Sequence, residues 1–506
     1  MPNRLIRGLA VGLLAFAASA LISLTGFLEP LEWKSWDARL RLLARPERAD
    51  PGIVLLLIDQ YSLDFYEDQG ISWPWPRQMH SAVVDFLRAG GARAVFFDLI
   101  LSEPSAYGDE DDRNLARALA RAGNVFLPVF LGGRDEGQDD RERDRAEQAY
   151  ALLSSRAEHR RRRAAPAVVP AASASLCLDT LFEAARGTGN VRFEADGDGI
   201  FRRVPLLFGF RDLVLPVLPL VLAEEVRGGP LDTASLPLDR NGRLIINYHG
   251  PAGTYVSLSL ASVINSWANM EEGREPQIPP SEFAGKIVLV GGSAPGLLDL
   301  RPTPLSPVSP GTEIHAAVID NLLHGDFIRV PAPALSLGLL LLYALLTGAA
   351  VSSLQKTWHL VLALALGLGL PAAAAAAAYR RGVWLELAAP LLAVLAAFIG
   401  AALLNYRTEG RQRRFIKTVF RHYLSPQVIE GILADPQRLR LGGERRPVTS
   451  FFSDVQGFTS ISEGLSPEEL VHLLNAYLSE MTDVILELGG TLDKYEGDAV
   501  IAFWNA

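Results

Sequence analysis

Two aspartates near the carboxyl end of the chain have the setting of a phosphate-transfer site. Asp454 ends a predicted strand, and Gly457 just after it lets backbone N–H groups approach an anion closely. Asp498 lies at the tip of a predicted hairpin between strands 491–495 and 499–504. Two carboxylates on adjacent strands can share two magnesium ions, which activate a hydroxyl and neutralise a leaving polyphosphate.

One helix must hold these strands together. Ser466-Pro467-Glu468-Glu469 is a capping box with proline at the first helical position, and apolar residues return at helical spacing from Leu470 to Leu488. Gly489 is a typical stop. The pattern predicts a strand, a helix and a hairpin in that order.

The string around both aspartates resembles the class III nucleotide cyclases. The matching segments are Phe452-Ser453-Asp454-Val455-Gln456-Gly457-Phe458-Thr459 and Gly490-Thr491-Leu492-Asp493-Lys494-Tyr495-Glu496-Gly497-Asp498-Ala499. The resemblance implies a partial α+β ferredoxin-like catalytic domain over residues 447–506. It also implies that Asp454 and Asp498, assisted by the Val455 carbonyl, bind two Mg²⁺ (or Mn²⁺) ions per site.

The same resemblance implies the substrate contacts. The amides around Gly457, Phe458 and Thr459 would hold the triphosphate, and the ribose 3′-hydroxyl would attack the α-phosphate and expel pyrophosphate. Lys494 occupies the position at which adenylate cyclases contact adenine, so ATP is favoured over GTP, with guanylate cyclase as an alternative. The site would lie at a homodimer interface, with the aspartates from one subunit and the lysine from the other.

The family's catalytic domain runs beyond the second aspartate, whereas this sequence stops at Trp504-Asn505-Ala506. The family's second base-selecting residue, and the asparagine and arginine that stabilise the transition state, have no counterpart here. We therefore expect the chain as given to bind nucleotide poorly and to turn over little or none. The alternative is a non-catalytic membrane sensor whose cyclase remnant serves as a dimerisation or docking surface.

The composition sets outer bounds on these interpretations. A length of 506 residues suggests about three domains. The net charge of −9 argues against a nucleic-acid partner. A protein that coats nucleic acid needs a broad basic face of clustered Lys and Arg. The single cysteine, Cys177, excludes an internal disulfide and a Cys-rich metal cluster.

Four uncharged runs are long enough to cross a membrane as helices. They are Gly8 to Leu28, Val330 to Gln355, Thr357 to Tyr379 and Leu387 to Tyr406. We assign residues 1–28 to an amino-terminal transmembrane helix and residues 330–406 to three more. A cleavable signal peptide competes at the amino terminus, because Ala18-Ser19-Ala20 has the small residues of a cleavage site.

The basic residues after the last run predict the orientation. They are Arg407, Arg411, Arg413, Arg414 and Lys417. The positive-inside tendency places them in the cytoplasm, which predicts a multi-pass inner-membrane protein with residues 29–329 extracytoplasmic and the cyclase part cytoplasmic. Arg380 and Arg381 are an exception to this tendency, since in this orientation they would lie outside the cytoplasm.

Residues 407–446 predict a helical linker with one apolar face, which could pack on its own domain or pair in a dimer.

The outward segment predicts an α/β fold. Val54 to Asp59 and Ala94 to Asp98 are apolar bursts that flank a helical pattern from Met79 to Ala89, as in a β-α-β unit with a parallel sheet. Trp73-Pro74-Trp75-Pro76 could stack on a ligand or cover a core. Asp109-Glu110-Asp111-Asp112 could hold calcium, but acidic residues are also typical of a helix start.

The outward segment resembles the second class of CHASE sensors, which are extracellular domains attached to bacterial signalling enzymes. The matching blocks are Val54 to Asp59, Trp73 to Arg77, Phe97 to Pro104, Asp196 to Pro205, Ile246 to Pro251 and Gly285 to Pro331. The resemblance implies an extracytoplasmic ligand or partner of unknown identity. For the whole chain we therefore expect an α/β extracellular sensor, transmembrane helices and a partial cyclase domain.

Overall fold

The computed structural model describes residues 2–133, 140–155, 168–297, 299–354, 356–420, 445 and 447–505. Contacts divide the chain into two compact units. The larger is made of Gly12–Thr347 and Val361–Leu395, and the smaller of Met1–Val11, Gly348–Leu360 and Ala396–Ala506. The larger unit holds a mixed α/β domain, and the smaller one holds the strands with the two predicted catalytic aspartates.

Helices and strands are numbered along the described chain. The helices are α1 (Pro2–Leu24), α2 (Glu29–Leu43), α3 (Gln60–Glu67), α4 (Arg77–Ala89), α5 (Asp109–Ala122), α6 (Asp140–Ser155), α7 (Asp179–Ala184), α8 (Leu218–Arg227), α9 (Leu260–Glu271), α10 (Gly311–His324), α11 (Pro333–Ser353), α12 (Thr357–Tyr379), α13 (Ala388–Phe420), α14 (Phe458–Glu463) and α15 (Pro467–Glu487). The strands are β1 (Ile53–Ile58), β2 (Ala94–Phe97), β3 (Val125–Gly132), β4 (Val169–Ala171), β5 (Ser173–Leu176), β6 (Gly187–Asn190), β7 (Arg203–Pro205), β8 (Leu207–Phe210), β9 (Leu213–Pro216), β10 (Arg243–Ile245), β11 (Val256–Ser259), β12 (Ile287–Gly292), β13 (Leu300–Arg301), β14 (Ser309–Pro310), β15 (Thr449–Ser453), β16 (Thr491–Glu496) and β17 (Ala499–Trp504).

A mostly parallel sheet forms the centre of the α/β domain. Its strands follow the order β11-β1-β12-β2-β3, and both β5 and β6 pair with β3. Among the described pairs of this sheet, β3–β5 alone is antiparallel. The predicted β-α-β elements are present, but β12 lies between β1 and β2, so that Ile287 stands opposite both Ile53 and Ala94.

Both faces of this sheet are buried, which explains why its strands read as unbroken apolar runs. Alternate residues of β1 point to opposite sides: Leu55 joins one core and Leu56 the other. The Leu56 core includes side chains from α3, α4, α5, α7 and α9. The Leu55 core includes side chains from α6, α8 and α10.

The acidic run after Gly108 begins α5, and its carboxylates are occupied by protein groups. Asp111 accepts hydrogen bonds from the backbone N–H groups of Arg77 and Gln78, at 2.7 and 2.9 Å. Asp112 pairs with the Arg77 guanidinium at 3.2 Å. These contacts favour the helix-start interpretation over a calcium site.

Among the described residues, four helices are long and apolar enough to cross a membrane, as the four uncharged runs predicted. The spans are Arg4–Leu24, Pro333–Ser353, Thr357–Tyr379 and Ala388–Arg407. The first span ends at Leu24, four residues earlier than expected, because a turn separates α1 from α2. A Cβ added at Gly12 would lie 2.6 Å from the Ala344 carbonyl oxygen, so α1 and α11 approach at small residues, as membrane helices commonly do.

Buried charges join α2 to the α/β domain. Arg202 is 1% exposed and donates to Asp37 at 2.7 and 2.8 Å and to Asp198 at 2.9 Å. Trp36 of α2 stacks on Trp384, with ring centroids 4.1 Å apart. The block Asp196 to Pro205, which carries part of the CHASE resemblance, therefore anchors the helix that follows α1.

The carboxyl-terminal segment folds as strand, helix and hairpin, as predicted. Its sheet is antiparallel in the order β15-β17-β16, and α15 packs on one face around Ile485 and Val500. Ser466 and Glu469 form the expected capping box. Of the predicted linker, 407–446, the structure describes helix through Phe420 and residue 445; the predicted apolar positions lie outside the described side chains.

Candidate functional site

The structure brings the two predicted aspartates to one end of the small sheet. Ser453, the last residue of β15, pairs with Val500 near the start of β17, so Asp454 lies just beyond this pair, close to the hairpin tip. The Val455 backbone N–H donates to Asp498 Oδ2 at 3.0 Å. Asp454 is exposed and Asp498 is half-buried. Both carboxylates are therefore open to solvent at a shared edge.

The loop after Asp454 turns sharply. Gly457 has a φ of +77°, in the left-handed region that favours glycine, and α14 begins directly after it. The Phe458 N–H donates to the Val455 carbonyl at 3.1 Å and closes the turn. Consequently the Phe458 amide is occupied within the loop, whereas the Val455 carbonyl keeps a second lone pair. Thr459 is exposed in the first turn of α14.

Lys494 does not lie beside Asp454. Phe452, Ile501 and Lys494 form one cross-strand row, in which Ile501 of β17 separates the other two. Neighbouring strands are about 4.8 Å apart, which puts the β16 backbone roughly 10 Å from β15. Lys494 is exposed, and the sheet face it shares with Phe452 is the one opposite α15.

The oxygen atoms at this edge fit a hard divalent cation. Mg²⁺ and Mn²⁺ prefer carboxylate and carbonyl oxygens. Asp498 accepts the Val455 N–H at Oδ2, and the exposed Asp454 carboxylate and the Val455 carbonyl lie on the adjoining loop. Asp454, Val455 and Asp498 are the residues that could hold such an ion.

The sequence prediction missed a cavity of about 480 Å³ in the α/β domain. It opens at the carboxyl ends of β2 and β12, where β2 leads to α5 on one face and β12 leads to α10 on the other. Such a divergence creates a crevice in which α/β sheets bind ligands. Asp98, Asp299 and His315 line it, together with Trp73. Asp98 follows an apolar strand as Asp454 does, which is a signal that could have identified it.

Burial controls the charges in this cavity. Desolvation raises the pKa of Asp299 to about 6 and raises that of Asp98 well above its ordinary value, with the Asp299 charge as a further cause. Desolvation also lowers the pKa of His315 to about 3, so this ring is neutral at pH 7. His315 Nε2 lies 3.5 Å from Asp98 Oδ2, and the buried Nδ1 has no hydrogen-bond partner among the described residues.

The sequence is similar to one known domain family and to several known proteins. Residues 11–352 match the model of the CHASE2 domain. Over 99 residues, or 20% of this chain, the sequence is 38% identical to "Adenylate cyclase" of Anabaena cylindrica, and over 62 residues, or 12%, it is 45% identical to "Adenylate cyclase 1" of Rhizobium meliloti. An uncharacterized protein of Mycobacterium tuberculosis is 30% identical over 96 residues, or 19% of the chain. The aligned parts span only 18%, 9% and 17% of these relatives.

Proposed function

The chain belongs to the CHASE2-domain family, and on that premise we propose that it is a sensor-regulated membrane adenylate cyclase that converts ATP to cyclic AMP and pyrophosphate. The observation that carries the proposal is the 3.0 Å hydrogen bond from the Val455 N–H to Asp498, which joins the loop of the first aspartate to the hairpin of the second. The names of two similar proteins support the same activity.

In this proposal the chain's own residues bind and orient the nucleotide. Asp454, Asp498 and the Val455 carbonyl would hold two Mg²⁺ or Mn²⁺ ions, which supply Lewis acidity and charge neutralisation when bound. The backbone N–H groups of Gly457 and Thr459 would face the triphosphate, whereas the Phe458 N–H, which donates to the Val455 carbonyl, would reach it only after leaving that carbonyl. The ribose 3′-oxygen forms the new bond to the α-phosphorus and loses its proton, while the bond to the leaving pyrophosphate breaks.

We also propose that a second copy of the chain completes each site. The sheet face opposite α15 carries Phe452, whose side chain is 71% exposed, beside Lys494. A second copy that packed on this face would remove the Phe452 ring from water. Since β17 separates Lys494 from Asp454 within one chain, a lysine from the second copy is the better candidate for contact with adenine.

The proposed placement is multi-pass in the inner membrane, with the CHASE2 domain outside and the aspartates in the cytoplasm. The basic cluster from Arg407 to Lys417 supports this orientation. The cavity lined by Asp98, Asp299 and His315 is a candidate place for an extracytoplasmic ligand, because it lies at the switch point of the sheet.

The direct test is cyclic AMP formation by membranes from cells that express the complete gene. Asp454→Asn and Asp498→Asn should each lower the rate at least about 100-fold with ATP and Mg²⁺ or Mn²⁺, because each removes a metal ligand. Asp483→Asn, an exposed carboxylate on α15, is the matched control and should leave the rate unchanged. Equal rates in all four proteins, or none in the wild type, would favour the alternative of a non-catalytic sensor.

A further inference from the structure

Five arginines surround a second cavity of about 440 Å³ in the larger unit. They come from three segments that are distant in sequence: Arg45 and Arg48 follow α2, Arg329 follows α10, and Arg380 and Arg381 follow α12. The volume is within the usual range of small-molecule sites. The fold therefore gathers positive charge from three places around one concave surface.

Acidic groups of the protein do not balance this charge. Asp326 is the carboxylate among the described lining residues, and its Oδ2 lies 3.6 Å from Arg48. In the part of the chain that the structure describes, Arg45, Arg329 and the pair Arg380 and Arg381 make no side-chain ion pair. Four exposed arginines and the paired Arg48 thus line one cavity with a single carboxylate among the described lining residues, which gives this concave surface a net positive charge.

The position of the cavity relative to the apolar helices is equally specific. Tyr379, the last residue of a candidate membrane span, lines it, and Trp384 follows a few residues later. Both rings are buried against Trp36 of α2, so they hold the end of α12 beside α2 at this cavity. In the proposed orientation Arg380 and Arg381 face outward, against the positive-inside tendency, so a binding role gives a reason for charges that insertion alone would disfavour.

We propose that this arginine cavity binds a phosphate-bearing anion at the outer boundary of the membrane. Guanidinium groups present two parallel donors that match phosphate oxygens, and several of them together favour a multiply charged phosphate over a single carboxylate. The phosphate belongs either to a soluble compound or to a lipid headgroup. A bound anion would cross-link the end of α2, the end of α10 and the loop that leads into α13, which is the helix that continues toward the catalytic segment.

The test measures binding rather than turnover, and it is made without divalent cations, so that the proposed cyclase site, whose product is pyrophosphate, does not hold the probe. The full chain is purified in an uncharged detergent and placed in nanodiscs of phosphatidylcholine, and pyrophosphate binding is followed by calorimetry and by melting temperature. A second arm measures phosphatidylglycerol retained by the chain in native mass spectrometry. The variant Arg380→Gln with Arg381→Gln removes two lining charges. The variant Arg113→Gln with Arg117→Gln removes two exposed charges from α5, outside the cavity.

We expect the cavity variant to lose about tenfold or more in affinity for pyrophosphate, or in retained phosphatidylglycerol, because charge-assisted hydrogen bonds are lost. The α5 variant should match the wild type. Pyrophosphate binding identifies a soluble phosphate, and lipid retention alone identifies a headgroup. If the cavity variant folds poorly, Arg45→Gln with Arg48→Gln serves in its place. Equal binding by wild type and cavity variants in both arms would overturn the proposal.

Discussion

Glu32 on α2 caps α13 through the backbone N–H of Ala388, which lies 2.9 Å from Glu32 Oε2. The same oxygen accepts from the Leu387 N–H at 2.7 Å, and Oε1 accepts from Trp384 Nε1 at 3.0 Å and from Arg39 at 2.7 Å. One carboxylate therefore joins the helix after α1 to the start of α13. A negative charge at a helix amino terminus also stabilises that helix.

Glu32→Ala should lower the free energy of unfolding by about 3 kcal/mol, because it leaves the buried Arg39 guanidinium without its carboxylate. The melting temperature of the chain in detergent micelles is the measurement. Glu29→Ala is the matched control, since Glu29 is exposed on the same helix and should change little. If both variants had the same melting temperature as the wild type, the contacts of Glu32 would contribute nothing to stability.

His80 should make the protein less stable in acid. Burial, with the nearby Arg77 charge, lowers the pKa of His80 to about 4, below its ordinary value near 6.5. Between these values the unfolded chain binds a proton that the folded chain does not, so stability is lost as pH falls from 6.5 toward 4. The loss from this residue is about 2 kcal/mol at pH 5.

His80→Phe keeps a ring among Trp73, Trp75 and Phe97 but cannot titrate. The drop in melting temperature between pH 7 and pH 5 should therefore be smaller in this variant than in the wild type. Because Asp299 and the other groups that titrate in this range are present in both proteins, the comparison isolates His80. If the drop in melting temperature were the same in both proteins, His80 would bind its proton equally well in the folded and unfolded chain.

Asp98→Asn should stabilise the protein at pH 7. Burial raises the pKa of Asp98, so its ionised form opposes folding, and the uncharged amide removes that cost. The gain should shrink as pH falls and the carboxyl group becomes protonated in the wild type. Asp196→Asn is the control of opposite sign, because the buried Asp196 pairs with Arg202 and Arg203. A lower melting temperature for Asp98→Asn would contradict the expectation that the ionised Asp98 carboxylate opposes folding.

The local sequence pattern was sufficient to predict individual helices and strands. It was not sufficient to predict how strands from distant segments pair. The apolar runs of β1, β2 and β12 predicted strands because both faces of their sheet are buried. Ser466 predicted the start of α15 because a capping box is a local feature of the sequence. The insertion of β12 between β1 and β2 depends on residues about 200 positions apart, so no local signal encodes it.

The sites follow the same rule. Asp454 and Asp498 could be related in advance because both lie in segments that resemble one family's motif, although the β15–β17 pairing that brings them together is not local. The cavity of Asp98, Asp299 and His315 required the sheet order, and the arginine cavity required three remote segments. Arg380 and Arg381 were visible in sequence only as an exception to the charge rule for membrane insertion.

We propose that two copies of the protein share each cyclase site, and co-expression of two inactive variants, both made in the complete gene, tests this most directly. In a mixed dimer of Asp454→Asn and Lys494→Ala, one site combines both changes and the other keeps the wild-type aspartate of one copy and the wild-type lysine of the second. Each variant alone should form almost no cyclic AMP from ATP. Together they should restore about a quarter of the wild-type rate, because half of random dimers are mixed and each has one intact site. Failure of the pair to exceed either variant alone, with both proteins present in the membrane, would contradict the shared site.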